Sequence, residues 1–176
     1  MAKLDAYDIP LLKLSQGVHS FEFDLDEQFF ADVDGDEVKK GTLKAVVTVT
    51  KMGYTQELVF ELNGEVQIEC TRCLDEMSQP IESRNQLVVK FGDEYREEND
   101  EVVIIPESEG KINIAWYLYE FIVLSIPISH MHELDECNQE MAFKLEELRA
   151  GNTMESDEES GTDPRWDALK GLDFKN

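Results

Sequence analysis

Tyr54-Thr55-Gln56-Glu57-Leu58-Val59-Phe60-Glu61-Leu62-Asn63-Gly64-Glu65-Val66-Gln67-Ile68-Glu69 is the stretch on which the fold turns. Residues 54–62 alternate polar and apolar, the two-residue period of a strand with one face in a core. Asn63-Gly64 is a strong signal for a two-residue hairpin loop. The chain is therefore expected to reverse there and return over Glu65 to Glu69 with Val66 and Ile68 inward.

Both flanks supply further strands. Upstream, Leu43 to Thr50 is β-branched and ends at Gly53, and Phe21 to Asp26 alternates. Ala31 to Gly41, with Asp32, Asp34, Gly35 and Asp36, reads as a turn-rich connector between them. Downstream, a strand is expected over Ile81 to Phe91 after Pro80, and short ones over Val102 to Ile105 and Ile112 to Ile114. The links are tight and polar, so the pairing should be mostly antiparallel. Gly92 to Asp100 is an acidic loop, read as a solvated segment or a docking surface for a basic partner.

Helices follow the strands. Asn113 stands where an N-cap belongs, and Ala115 to Ile126 is apolar nearly all round, with Glu120 its single charge and Pro127 its stop. This is expected to be a central core helix with Trp116, Leu118, Phe121, Ile122 and Leu124 inside. It is too short to span a bilayer. Gln139 to Arg149 reads as a short amphipathic helix with Met141, Leu145 and Leu148 on one face. The fold class is α+β: a mostly antiparallel sheet with one buried core helix and one short amphipathic helix, in a single domain over residues 1–150. Residues 151–162 are acidic with one apolar side chain, Met154, and read as a disordered linker. Residues 163–176 form a short docking element, with Asp163 as N-cap, Pro164 at the first helical position, and Trp166, Leu169 and Leu172 at docking spacing. It would engage its own domain or a partner.

The charge narrows the function. Thirty-nine acidic residues oppose 16 basic ones among 176, a net charge of −23. Proteins that grip nucleic acid through their own charge do so with clustered Lys and Arg, and here the longest basic run is Lys39-Lys40. An anionic membrane would repel the chain, and basic proteins are its natural electrostatic partners. Met1 to Gly17 contains Asp5 and Asp8 and no small-residue cleavage site, so no signal peptide is expected. Three cysteines, an odd number, point to a reducing compartment. A cytoplasmic protein is expected.

Cys70-Thr71-Arg72-Cys73 leaves a strand and enters a polar turn, a spacing at which two thiols can reach one zinc ion. His130, His132 and Cys137 lie downstream, and Cys137 with one histidine would complete a Cys3His tetrahedron pinning the turn to the end of the core helix. Three readings stay open: thiols without metal, a structural zinc, and a redox pair. The redox pair is disfavoured, because such motifs place the first Cys at a helix N-terminus. With only His19, His130 and His132, and no nucleophile elbow, phosphate loop or dinucleotide fingerprint, neither catalysis nor a small-molecule substrate is expected.

Cys70-Thr71-Arg72-Cys73-Leu74, followed by Met77 and Pro80, resembles the C-x-R-C-L signature of the YceD family of large ribosomal RNA subunit accumulation proteins. Glu120-Phe121-Ile122-Val123-Leu124-Ser125-Ile126-Pro127 is similar to that family's E-x-[ILV]-x-L-x-[IL]-P segment. His132 and Cys137 match the H-x4-C that follows the proline in some members, and Asp163-Pro164-Arg165-Trp166 with Leu169 resembles the family's D-P-R-x-x-x-L ending. The resemblance covers about residues 55–172. Some relatives carry extra Cys pairs after the proline; this chain has only Cys137, so a metal site of Cys70, Cys73, His132 and Cys137 has no spare ligand. The resemblance implies bacterial ribosome biogenesis and no enzymatic activity. Together with the charge it leads to an expected non-enzymatic assembly factor. That factor would act through a basic ribosomal protein or a pre-large-subunit particle, with rRNA contact indirect. Arg72, Asp163, Pro164, Arg165, Trp166 and Leu169 are the candidate partner-binding residues. The alternatives are an RNA-binding module with a local basic face around Arg72, and a redox or metal-dependent enzyme using the CxxC.

Overall fold

A computed structural model describes residues 4–133 and 136–148. After a helical turn at Asp5–Tyr7 come strand β1 (Asp8–Ile9), a second such turn at Leu11–Lys13, strand β2 (Gly17–Leu25) and helix α1 (Glu27–Val33). Strands β3 (Lys40–Met52), β4 (Thr55–Glu69), β5 (Glu76–Gly92), β6 (Arg96–Asn99), β7 (Val102–Pro106) and β8 (Ile112–Asn113) follow, then helices α2 (Ala115–Ser125) and α3 (Gln139–Glu147). The strands and the first two helices form one compact unit, Met1–Gln139; a second unit is Glu140–Asn176. In the second, Lys144 Nζ lies 3.0 Å from the Glu140 carboxylate one turn away, a pairing that supports a solvent-facing helix.

Six strands pair in the order β2-β3-β4-β5-β7-β6, antiparallel throughout except for the parallel β5–β7 pair, and β1 with β8 makes a separate two-stranded ribbon. The class is the α+β fold expected from the alternation. One sheet face carries Leu43, Val47, Val49, Leu58, Phe60, Leu62 and Val66, all buried, and α1 and α2 cover it. Phe29 and Phe30 of α1 and Leu118 and Ile122 of α2 complete the core. No helix among the described residues is long and apolar enough to cross a membrane.

The hairpin expected at Asn63-Gly64 does not exist. β4 runs straight through those residues, paired on both sides, with Gly64 opposite Leu43 of β3 and Ile81 of β5. A Cβ at Gly64 would stand 2.3 Å from the Thr42 carbonyl oxygen and 2.6 Å from Leu43 Cα, and its φ of 154° lies where side chains are rarely found. The glycine is there for strand approach. The chain reverses instead at Gly53-Tyr54, where Met52 pairs with Thr55 and Gly53 takes a φ of 63°. β5 likewise begins before Pro80. At that point β7, which pairs only with Val88 to Gly92, leaves the far edge of β5 open, a position where a strand proline is tolerated.

Three other expectations need correction. The acidic loop over Gly92 to Asp100 contains edge strand β6, made tolerable because Lys90 and Arg96 both reach Glu98, at 3.0 and 3.5 Å. The connector over Ala31 to Gly41 begins inside α1, whose N-cap Asp26 accepts the amides of Gln28 and Phe29. Trp116 and Leu124 are not core residues: they are 56% and 73% exposed. A helix laid over a single sheet has a far side in water. Uniform apolarity concealed which side that is. Asn113 sits one residue before the N-cap position, yet its Oδ1 accepts the Ala115 amide while its Nδ2 donates to Leu4 O and Asp8 Oδ1.

Candidate metal centre

β4 ends at Glu69, and the next six residues form a tight knuckle before β5. Cys70 N–H donates to the Asp75 carbonyl and Leu74 N–H to the Cys70 carbonyl, each at 2.9 Å, while the Arg72 amide points at Cys70 Sγ, 3.4 Å away. Amides turned toward a sulfur stabilise it as thiolate, the form that ligates metals.

The second segment of the site comes from the exit of α2. After Pro127 the chain turns, with His130 Nδ1 facing the Pro127 carbonyl at 2.8 Å. The His130 carbonyl then accepts both the amide and the hydroxyl of Thr71, at 2.9 and 2.8 Å. This pair of hydrogen bonds from knuckle to backbone helps bring His132 and Cys137 to Cys70 and Cys73. His130 itself supplies a carbonyl, not a ligand nitrogen.

The four ligand atoms of Cys70, Cys73, His132 and Cys137 all lie within 4.8 Å of one another. A tetrahedral zinc with Zn–S bonds of about 2.3 Å sets sulfurs roughly 3.8 Å apart, so the set needs only slight contraction to enclose an ion. His132 Nδ1 is 3.4 Å from Cys73 Sγ, and its Nε2 faces the Glu76 carbonyl at 3.3 Å. A carbonyl can only accept, so Nε2 carries the proton and Nδ1 turns to the sulfurs, the supporting contact that metal-binding histidines usually have. Asn138 Nδ2 donates to Asp75 Oδ2 at 3.1 Å and ties the two segments below the site. All three cysteines are buried and none is in a disulfide.

Protonation follows from these contacts. Burial pushes the Cys70 thiol up, but the amides of Cys73 and Arg72 outweigh it and bring it down to about 6. Cys73 is likewise raised by burial and lowered more by the amides of Asn138 and Asp75. Cys137 is raised, by burial first and then by Cys73. His132 is raised chiefly by its hydrogen bond with Cys73. Two thiols held below their ordinary range, beside a third thiol and a histidine held above theirs, make a donor set that a divalent cation would bind by displacing protons.

All four candidate ligands predicted from sequence are thus brought together. Arg72 lies beside them but is not displayed as a free cation: Nη2 is 3.3 Å from Met131 Sδ, and Nη1 is buried with no hydrogen-bond partner among the described residues. Asp163, Pro164, Arg165, Trp166 and Leu169, with the linker over 151–162, lie outside the described residues. The supporting groups Thr71, Asp75, Glu76 and Asn138 were not singled out from sequence. They act mostly through backbone atoms or a short amide, which leave no mark in a residue pattern.

Comparison with curated proteins finds no match, and no solved structure matches either. The family described as large ribosomal RNA subunit accumulation protein YceD matches residues 58–173, a span that holds the knuckle, α2 and both downstream ligands. The chain belongs to the YceD family.

Proposed function

We propose that this protein is a non-enzymatic, cytoplasmic factor for assembly of the large ribosomal subunit. It works through protein contacts with a basic ribosomal protein or a pre-large-subunit particle. The family description supplies the link to large-subunit RNA. The observation that carries the protein-contact reading is the fate of the few bases. Lys40 pairs with Glu76, Arg84 with Glu61, Lys90 and Arg96 with Glu98, and Lys111 with Asp8. Lys51 is turned onto the carbonyls of Leu11, Leu12 and Leu14. In a chain of charge −23, that leaves little positive surface for phosphates and much negative surface for a basic protein. Such a surface can hold a basic protein and yield it to RNA, whose charge density is higher. The reading includes a structural zinc held by Cys70, Cys73, His132 and Cys137, which supplies a cross-link and no chemistry. The C-terminal segment carrying Asp163, Pro164, Arg165, Trp166 and Leu169 is proposed as a second contact.

The test is affinity capture of the tagged full chain from a lysate, with and without nuclease. Large-subunit proteins should stay bound after nuclease treatment, and purified rRNA should show no appreciable affinity at physiological salt. Capture that vanishes with nuclease would overturn the protein-contact reading and favour the RNA-binding one.

A further inference from the structure

Beside the knuckle, and lined in part by its Cys70, Thr71 and Leu74, lies a groove of about 880 Å³. Its lining includes the apolar side chains of Ile68, Leu74, Val123 and Ile126. Leu74 stands out twice. It is 62% exposed, and its φ of 66° is left-handed, a conformation that disfavours any residue with a side chain. Glycine would fit that backbone better. A leucine kept in an unfavourable conformation and pointed at water is explained by a use for its side chain outside the chain's own core.

The rim sets the sign of the visitor. Two lysines line the groove but are already engaged: Lys39 Nζ on the Gly35 carbonyl and near Asp36, Lys40 Nζ on Glu76 at 3.3 Å. Glu37 and Glu69 also line it and have no ion-pair partner among the described residues. The lining thus combines apolar side chains with uncompensated carboxylates. A second copy of this chain, itself at −23, would be repelled.

We propose that this groove receives an extended, Lys/Arg-rich peptide segment bearing one apolar anchor side chain, which packs on Leu74 while its cations meet Glu37 and Glu69. The inference rests on the protein-contact reading above and names the surface for it. The occupant is the kind of basic tail that RNA-binding proteins carry.

The test uses the full-length protein and a fluorescently labelled 12-residue peptide of lysines and arginines with a single central leucine, followed by anisotropy. Leu74→Gly should weaken binding on the order of tenfold, the loss of one buried leucine contact. Its melting midpoint should not fall, because glycine relieves the backbone. A Glu37→Gln, Glu69→Gln double variant should also bind more weakly and lose part of the salt dependence. Equal affinity across wild type and both variants overturns the groove, as does a wild-type protein that ignores the peptide. So does a single-stranded RNA that binds in place of the peptide and is itself sensitive to Leu74→Gly. Nuclease-resistant capture of large-subunit proteins by the same Leu74→Gly preparation would then show that the broader reading survives without the groove.

Discussion

The ring of Tyr119 fills the space that a side chain on Gly35 would need: a Cβ there would stand 2.1 Å from Tyr119 Cζ. The phenol oxygen also accepts the amides of Glu37 and Val38, at 3.0 and 3.1 Å. Helix α2 is thereby fixed to the segment that follows α1. Gly35→Ala should force the ring out and destabilise the protein by about 3 kcal/mol. Tyr119→Phe keeps the ring but strands two amides, and should lose about 1–3 kcal/mol. Denaturant titration measures both; a neutral Gly35→Ala would show that the ring is not seated on the glycine.

Gly64 offers a sharper case, since its role in β4 differs from that of a hairpin glycine. Gly64→Val should destabilise strongly, by about 3 kcal/mol or more, because the two nearest atoms are backbone and cannot rotate away. Gly53→Asn, at the true reversal, should be mild, since asparagine tolerates positive φ and a Cβ there meets nothing within 4 Å. Were the two effects reversed in a thermal melt, the assigned register would be wrong.

The α2 surface separates the buried from the merely apolar. Ile122 is fully buried and Leu124 is largely exposed. Ile122→Asp should cost several kcal/mol, on the order of 4, and Leu124→Asp less than about 1. Circular dichroism melts of the pair suffice, and equal losses would sink the helix orientation.

For the metal centre, purified protein should carry about one zinc per chain. Removal by a chelator should lower the melting midpoint by several degrees, because the ion would join the knuckle to the segment after α2. Cys70→Ser and Cys137→Ser should each reduce zinc content, and cobalt loading should give the visible bands of a tetrahedral thiolate site. Metal-free protein with a chelator-insensitive melt would leave the cysteines as buried thiols.

Asp8 gives a pH signature. Burial raises its carboxyl, but hydrogen bonds from Lys111 and Asn113 outweigh this and hold it below its ordinary 3.8. The folded state therefore gains stability from the ionised carboxylate, fully present above about pH 4 and lost as pH falls below 3.8 through the lower folded value. Asp8→Asn should lower the midpoint at pH 7 by roughly 2 °C. The gap should close on acidification, and a gap that widened instead would refute the assignment.

What could be read from sequence followed from chemistry that admits few alternatives. Alternation over 54–62 demanded strands, and the CxxC with a downstream histidine and Cys137 offered one tetrahedral set among three open readings. The misreadings arose where a residue serves two purposes. Gly64 satisfies a turn or a close strand contact equally well, and only the pairing with β3 and β5 decides. Trp116 and Leu124 look like core because hydrophobicity does not state which neighbour is present. The left-handed backbone of Leu74 was illegible, since nothing in a leucine advertises the conformation its neighbours impose.

Cys73 and His132 meet across 59 residues of chain. At ordinary rates of synthesis the CxxC is made roughly 3 to 12 s before its histidine partner exists. During that interval β5 to β8 and α2 must all be made, and until α2 is seated the knuckle can offer an ion only two sulfurs. The four-ligand set can therefore assemble only after Cys137 has been made. An ion held by all four ligands would enter a chain whose sheet and core helix are already made, and until then two early sulfurs wait without their partners.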